Sequence, residues 1–260
     1  MRDNQTTVRG AVRSPLQPGI ARPDAMRLAA DEYARVADAI AALAPGDWDQ
    51  PTECTEWTVH QLVSHVVGMA AMAASPFESR RQMRIAATRP GGEAEMVDAL
   101  TALQVREFSR YTPAELVARV AAIGPKAAKG RRRTPGFLRR RPMGDRPVIN
   151  GVAETWALGF LIDVILTRDP WMHRIDLSRA TGRPLALTAD HDGRIVDDVV
   201  REWAARHGKP YRLTLTGPAG GTWATPDGDG EAFELDAIEF CRAVSGRGTT
   251  PAPFGTQVPF

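Results

Sequence analysis

Apolar residues recur at three- and four-residue steps through most of the first 180 positions, the period of an amphipathic helix. Over 23–44 the stripe is Met26, Tyr33, Val36, Ile40 and Leu43. Pro23 suits the first helical turn, where its missing N–H costs nothing, and Pro45-Gly46 stops the helix. A polar loop with two tryptophans follows over 47–57. Thr58 caps a second helix, and Gln61 completes a capping box. Its apolar face is Val59, Leu62, Val63, Val66, Val67 and Ala70, with His65 on the flank and Met69 and Met72 on the same side as His65. A third helix is predicted over 77–87, ended by Pro90-Gly91-Gly92. A fourth is predicted over 93–110, with Met96, Leu100, Leu103 and Phe108 inward. Thr112-Pro113-Ala114-Glu115 opens a short helix.

The stretch 126–146 is basic and punctuated by proline and glycine, and reads as a long loop. The helical period returns over 148–180, in two pieces because Pro170 removes a donor and clashes one turn back. Thr181-Gly182-Arg183-Pro184 ends it. From Leu185 the pattern changes. An amphipathic helix over 194–207 places Ile195, Val199 and Trp203 inward and stops at Gly208. Tyr211 to Leu215 alternates like a strand. Gly217 to Gly221 makes a turn, 222–224 pairs back as a hairpin, 232–235 is another short strand, and 236–244 is helical. The fold class is therefore α+β: a lead-in over 1–21 expected to be disordered, a helical bundle over 22–184, and a small α+β domain over 185–260.

Composition excludes several functions. An apolar fraction of 43% with 25% charged residues is ordinary for a globular chain. No apolar run approaches the roughly 20 residues of a bilayer span, and the N-terminus lacks the apolar core of a secretory signal. A cytoplasmic protein without membrane contact is expected. Cys54 and Cys241 form no CxxC pair and are expected as free thiols. A net charge of +2 is too small to imply nucleic acid. The runs Arg131-Arg132-Arg133 and Arg139-Arg140-Arg141 have only Phe137 as an interleaved aromatic, so they read as a solvated loop or one that attracts an acidic substrate. Gly217 to Gly221 lacks the Gly-Lys-Ser/Thr ending of a phosphate loop. Cys54 has no activating base nearby in sequence and is read as buried and inert.

Candidate chemistry rests on few residues. The histidines are His60, His65, His173, His191 and His207. Asp169 and His173, four apart, share one helical face, and His65 on a facing helix adds a second imidazole. A catalytic zinc ion typically takes three protein ligands and keeps one position open. Spacing alone leaves open a structural histidine and an Asp169 that merely caps a helix before Pro170.

The segment Trp48-Asp49-Gln50-Pro51-Thr52-Glu53-Cys54-Thr55-Glu56-Trp57-Thr58-Val59, with Leu62 and His65 after it, resembles the signature of the mycothiol-dependent maleylpyruvate isomerase family. Asp169-Pro170-Trp171-Met172-His173-Arg174-Ile175-Asp176, followed by Gly182, resembles that family's acid-x-Trp-x-His-x-x-Asp stretch. Leu213 to Gly221 and Asp236 to Arg242 resemble its small C-terminal domain. The resemblance implies a DinB-like four-helix bundle followed by a sterol-carrier-like α+β domain. It implies metal ligands His65, Asp169 and His173, with Asp169 standing where the family's pattern has Glu. Asp176 is either a partner for an imidazole N–H or a surface ion pair.

The implied cofactors are a divalent metal, zinc first although iron or nickel suit the same donors, and mycothiol. The implied partners are a small electrophilic substrate and the thiol cosubstrate; no oligomeric state follows. The implied chemistry is a metal-activated thiolate used for isomerisation or thiol transfer. Arg242 is expected at the rim of an active site between the domains, where it captures an acidic substrate; Met69 and Met72 are expected to line an apolar wall. Two other readings use the same residues: a non-catalytic bundle protein holding a metal or small ligand, and a hydrolase using metal-bound water.

Overall fold

The computed structural model describes residues 16–54, 56–88, 96–144 and 146–260. Helix α1 runs Arg22–Ala41, α2 Val59–Ala74, α3 Pro76–Ala86, α4 Met96–Phe108, α5 Pro113–Arg133 and α6 Gly136–Arg139. A short α7, Leu158–Phe160, leads through a π-helical turn, Leu161–Ile165, into α8, Leu166–Thr181. Thr58 and Gln61 form the predicted capping box on α2, and Thr112 with Glu115 forms another on α5. Helices α1, α5, α2 and α8 pack as a four-helix bundle, with α3 and α4 laid against the outer side of α2. Its core joins Val36, Ile40, Leu62, Val63, Val66, Leu116 and Val120.

Four expectations need correction. First, α1 ends at Ala41, and Pro45–Asp47 forms a separate 3-10 turn. Second, the helix opened by Thr112 is long, and it takes in Arg131, Arg132 and Arg133. Arg131 is buried, so that run is no solvated loop. Third, 148–157 is not helical. Val148–Ile149 (β1) and Val152–Ala153 (β2) form a small antiparallel hairpin about Asn150-Gly151, both at positive φ. That is the conformation a tight two-residue hairpin turn requires. Fourth, the lead-in is ordered at its end: Leu16 N donates to Thr155 O at 2.8 Å, and Leu16 and Ile20 pack by Trp156, Phe160 and Val164. Residues 1–15 and 89–95, part of the predicted lead-in and of the predicted fourth helix and the turn before it, lie outside the described residues.

Pro170 sits inside α8. Its ring nitrogen cannot donate to the carbonyl of Leu166, one turn back. Arg131 fills the gap: Nη1 donates to Leu166 O at 2.8 Å, Nε to Ile162 O at 2.8 Å, and Nη2 to Thr167 Oγ1 at 2.6 Å. The π-helical turn and this guanidinium let the helix continue unbroken through Asp169 and His173.

The C-terminal part contains α9, Arg194–His207, and α10, Ala237–Val244, against a three-stranded sheet in the order β4-β3-β5. Strands β3 (Tyr211–Thr216) and β4 (Gly221–Ala224) are antiparallel; β5 (Glu231–Asp236) runs parallel to β3. Tyr211, Leu213 and Leu215 alternate inward to meet Val199, Trp203 and Phe240. The same core takes in Leu28 of α1 and Trp171, Met172 and Ile175 of α8. Helix α8 thus presents one apolar face to the α+β part and a polar face to the bundle interior.

Candidate metal centre

His65 lies in the second turn of α2, where its aliphatic neighbours are fixed in the core. Asp169 and His173 lie one turn apart on α8. Their donor atoms converge: His65 Nε2 is 3.6 Å and His173 Nε2 3.5 Å from Asp169 Oδ1. Good hydrogen bonds are shorter, about 2.7–3.2 Å. Ligands each about 2.0–2.2 Å from one ion in a tetrahedral shell stand roughly 3.4 Å apart. The other carboxylate oxygen, Asp169 Oδ2, is buried with no hydrogen-bond partner among the described residues. Two imidazoles and a carboxylate with this spacing, and an orphaned oxygen among them, fit a divalent cation.

The surroundings fix the rings. His173 Nδ1 meets Asp176 Oδ2 at 3.0 Å, and Asp176 is wholly buried. Arg247 donates to both oxygens of Asp176, at 3.2 and 3.3 Å. Asp176 is therefore an imidazole partner, not a surface ion. A carboxylate on the far nitrogen sets the tautomer that leaves Nε2 free to ligate. His65 Nδ1 has no such partner among the described residues. Trp57 packs over both imidazoles, with centroids 5.2 Å from His65 and 6.2 Å from His173.

Charge follows from this geometry. Burial alone would raise the Asp169 carboxyl, but His173 and His65 hold it well below the usual carboxylate range. Burial alone would lower His173, yet Asp169 and Asp176 lift it well above an ordinary imidazole. Burial likewise opposes the Asp176 carboxylate, and His173 with Arg247 keeps it ionised. Arg247 balances Asp176, so the charge of Asp169 is left to be met by a proton on His173 or by a bound cation.

The remaining expected residues are placed as follows. Arg242, on α10, is buried and engaged: Nε and Nη2 donate to Glu53 at 3.0 and 2.5 Å, and Nη1 to Glu239. Glu53 precedes Cys54, whose Sγ lies 3.8 Å from Asp176 Oδ2, so Cys54 belongs to the site's wall. It is partly exposed and free, as Cys241 is free and buried. Met69 and Met72 face α4, where Gln104 Nε2 donates to their sulfurs at 3.3 and 3.2 Å. Arg247 was not foreseen. Its one sequence signal is the Ser-Gly-Arg-Gly turn after α10, in which Gly246 and Gly248 take positive φ. A Cβ at Gly248 would also come within 3.0 Å of the Arg242 guanidinium.

The mycothiol maleylpyruvate isomerase N-terminal domain model matches residues 29–178, more than half of the chain. No curated protein matches. Two solved structures share the fold. The crystal structure of the mycothiol-dependent maleylpyruvate isomerase aligns with TM-score 0.56 at 16% identity, covering 92% of this chain and 95% of that one. A histidine-to-alanine mutant of that isomerase gives 0.55 at 15% identity, covering 88% and 90%. Coverage of both chains extends the shared α+β architecture beyond the bundle, and the family match includes α2 and all three converging residues. The chain belongs to the mycothiol maleylpyruvate isomerase family.

Proposed function

We propose that this protein is a mycothiol-dependent metalloenzyme that isomerises a small electrophilic acid. The observation that carries the reading is the convergence of His65, Asp169 and His173 at 3.5–3.6 Å, in a member of this family. These three residues would hold the metal, zinc by preference for two imidazoles and a carboxylate. A metal held there would supply thiol activation, lowering the pKa of a low-molecular-weight thiol so that it would be available as thiolate at neutral pH.

The chain's own residues set the conditions for that chemistry. Asp176 orients His173 through Nδ1, and Arg247 keeps Asp176 ionised and still. Trp57 covers the two imidazoles and limits water beside them. Arg242 stands at the rim through Glu53, and an acidic substrate would compete with Glu53 for its guanidinium. The activated thiol is a nucleophile toward a cis double bond. Its release after rotation about the former double bond gives the isomer, and its retention gives a thiol conjugate.

No described helix is long and apolar enough to cross a membrane. The test is to purify the protein without added metal, measure bound metal by elemental analysis, and assay mycothiol-dependent isomerisation of maleylpyruvate. Stoichiometric metal, lost in His65→Ala, and turnover only with the thiol are expected. Full metal occupancy in His65→Ala, or turnover without thiol, would sink the reading.

A further inference from the structure

A cleft of ≈ 570 Å³ opens where the loop before α2 meets the C-terminal end of α8. Its walls include Gln50, Thr52 and Glu53 on one side and Ser178, Arg179 and Arg183 on the other. The volume lies within the range of small-molecule sites. Pro51, Ala180 and Gly182 complete a lining in which polar and apolar surface are both present, and neither Met69 nor Met72, expected to form an apolar wall, contributes to it.

The charges around it cancel. Arg179 pairs with Glu53 and Glu239, both at 3.1 Å; Arg183 pairs with Asp47 at 2.5 Å; Arg242 pairs with Glu53. Three guanidiniums thus face three carboxylates, so an anion meets a balanced charge in the cleft and reaches Arg242 only by displacing Glu53. The end of α8 works against an anion too. The last carbonyls of a helix point outward and carry the negative end of its dipole. Gly182, at φ +67°, turns the chain away immediately after them. The cleft therefore offers outward carbonyls and carboxylates to hydroxyl donors, and amide and guanidinium N–H groups to hydroxyl acceptors.

The cleft adjoins the candidate metal centre. Glu53 lines it, while the next residue, Cys54, touches Asp176 in the wall of the centre. On α8, Ala180 of the cleft follows His173 by seven residues, about 10 Å at the 1.5 Å rise of a helix.

We propose that this cleft binds the uncharged, polyhydroxylated head group of the thiol cosubstrate, so that its acylated cysteine arm extends along α8 toward the centre. The assignment rests on the thiol-dependent reading above. In mycothiol that head group is a glucosaminyl-inositol, and its hydroxyls match a neutral cleft of paired donors and acceptors. Arg183 and Gln50 are the cleft residues chosen to test it; both are solvent-accessible and outside the packed core.

The experiment separates head group from thiol. N-acetylglucosaminyl-inositol, which has no sulfur, is titrated calorimetrically into metal-free protein. N-acetylcysteinamide, which has no sugar, is titrated into zinc-loaded protein. The polyol is expected to bind saturably, with its Kd raised about tenfold or more in Gln50→Ala/Arg183→Ala, the loss expected for a hydrogen bond or two. N-acetylcysteinamide is expected to bind wild type and double variant alike. Gln50→Ala alone, at an exposed site, gives the same comparison should the double variant fold poorly. A polyol that does not bind, or binds variant and wild type equally, overturns the cleft assignment while simple-thiol binding leaves the thiol reading standing. Failure of N-acetylcysteinamide to bind the zinc-loaded protein overturns the thiol reading instead, and with it the cosubstrate role of the cleft.

Discussion

Each ring nitrogen of His173 faces a different carboxylate, and the two carboxylates have different tasks. Asp169 shares the interior with His65, whereas Asp176 holds the ring from behind and is itself held by Arg247. Asp176→Asn removes the charge that orients and enriches the imidazole, but leaves the bundle core untouched. Metal affinity should fall about 10- to 100-fold, read by competition with a chelating dye at a temperature well below the thermal midpoint, which falls too because Arg247 loses its buried partner. Unchanged affinity would assign Asp176 a purely structural part. Arg242 makes a separate prediction. With an acidic electrophile, Arg242→Ala should raise KM or lower kcat while elemental analysis finds the same metal content. Unaltered kinetics would remove Arg242 from the rim. His65, Asp169 and His173 were legible because each sits in a motif on a periodic helix. Arg247 and the role of Cys54 were not, because 71 and 122 residues of chain separate them from Asp176. Such a contact depends on how two parts of the fold dock, and no local period records that.

At the scale of elements, helices with a clean apolar stripe and a cap were readable to within a few residues, as for α2 and α9. The errors fell where local signals conflict. Gly130 and a run of arginines suggested a loop from 126 onward, yet α5 continues to Arg133. Arginine is a good helix former, and the glycine serves packing: a Cβ at Gly130 would lie 2.2 Å from the carbonyl oxygen of Ala73 on α2. Asn150-Gly151 is a hairpin signal masked by the helix-like spacing of the apolar residues after it. The extended α5 matters because it delivers Arg131 to the carbonyl that Pro170 leaves free. Arg131→Ala would leave buried oxygens of Ile162, Leu166 and Thr167 short of donors. A cost of about 3 kcal/mol is expected, a fall in Tm of several degrees at this chain length. Arg131→Lys should not rescue it, since an ammonium cannot reproduce the fork that spans three oxygens. Full rescue by lysine would show that charge alone, not geometry, supports this turn.

On the scale of the whole molecule, the bundle and the C-terminal part are joined by a buried polar network as well as by a shared apolar core. Arg174 of α8 donates to Glu32 of α1 at 3.0 and 3.2 Å and to Asp192, before α9, at 2.5 Å. His191 Nε2 meets Glu32 at 2.6 Å, and Trp171 donates to Asp192 at 2.9 Å. Burial would raise the Asp192 carboxyl; Arg174, the Thr188 N–H and Trp171 outweigh it and hold the group below its ordinary value. A carboxyl depressed in the folded state binds its proton more weakly there than in the unfolded chain. Its contribution is complete above the unfolded value, about 3.9, and is lost as pH falls through the folded one. Asp169 and Asp176 act in the same direction, so wild-type stability alone does not isolate the network. Asp192→Asn does: the asparagine carbonyl can still accept from Trp171, but the charge facing Arg174 is gone. At pH 7 the variant should be less stable by about 3 kcal/mol, near the low end for a broken buried pair because Glu32 remains. The difference between the two proteins in urea midpoint should narrow as pH is taken below about 4. A gap that stays constant down to pH 2.5 would mean that Asp192 is held by packing, and that its ionisation does not help bind α8 to the C-terminal part.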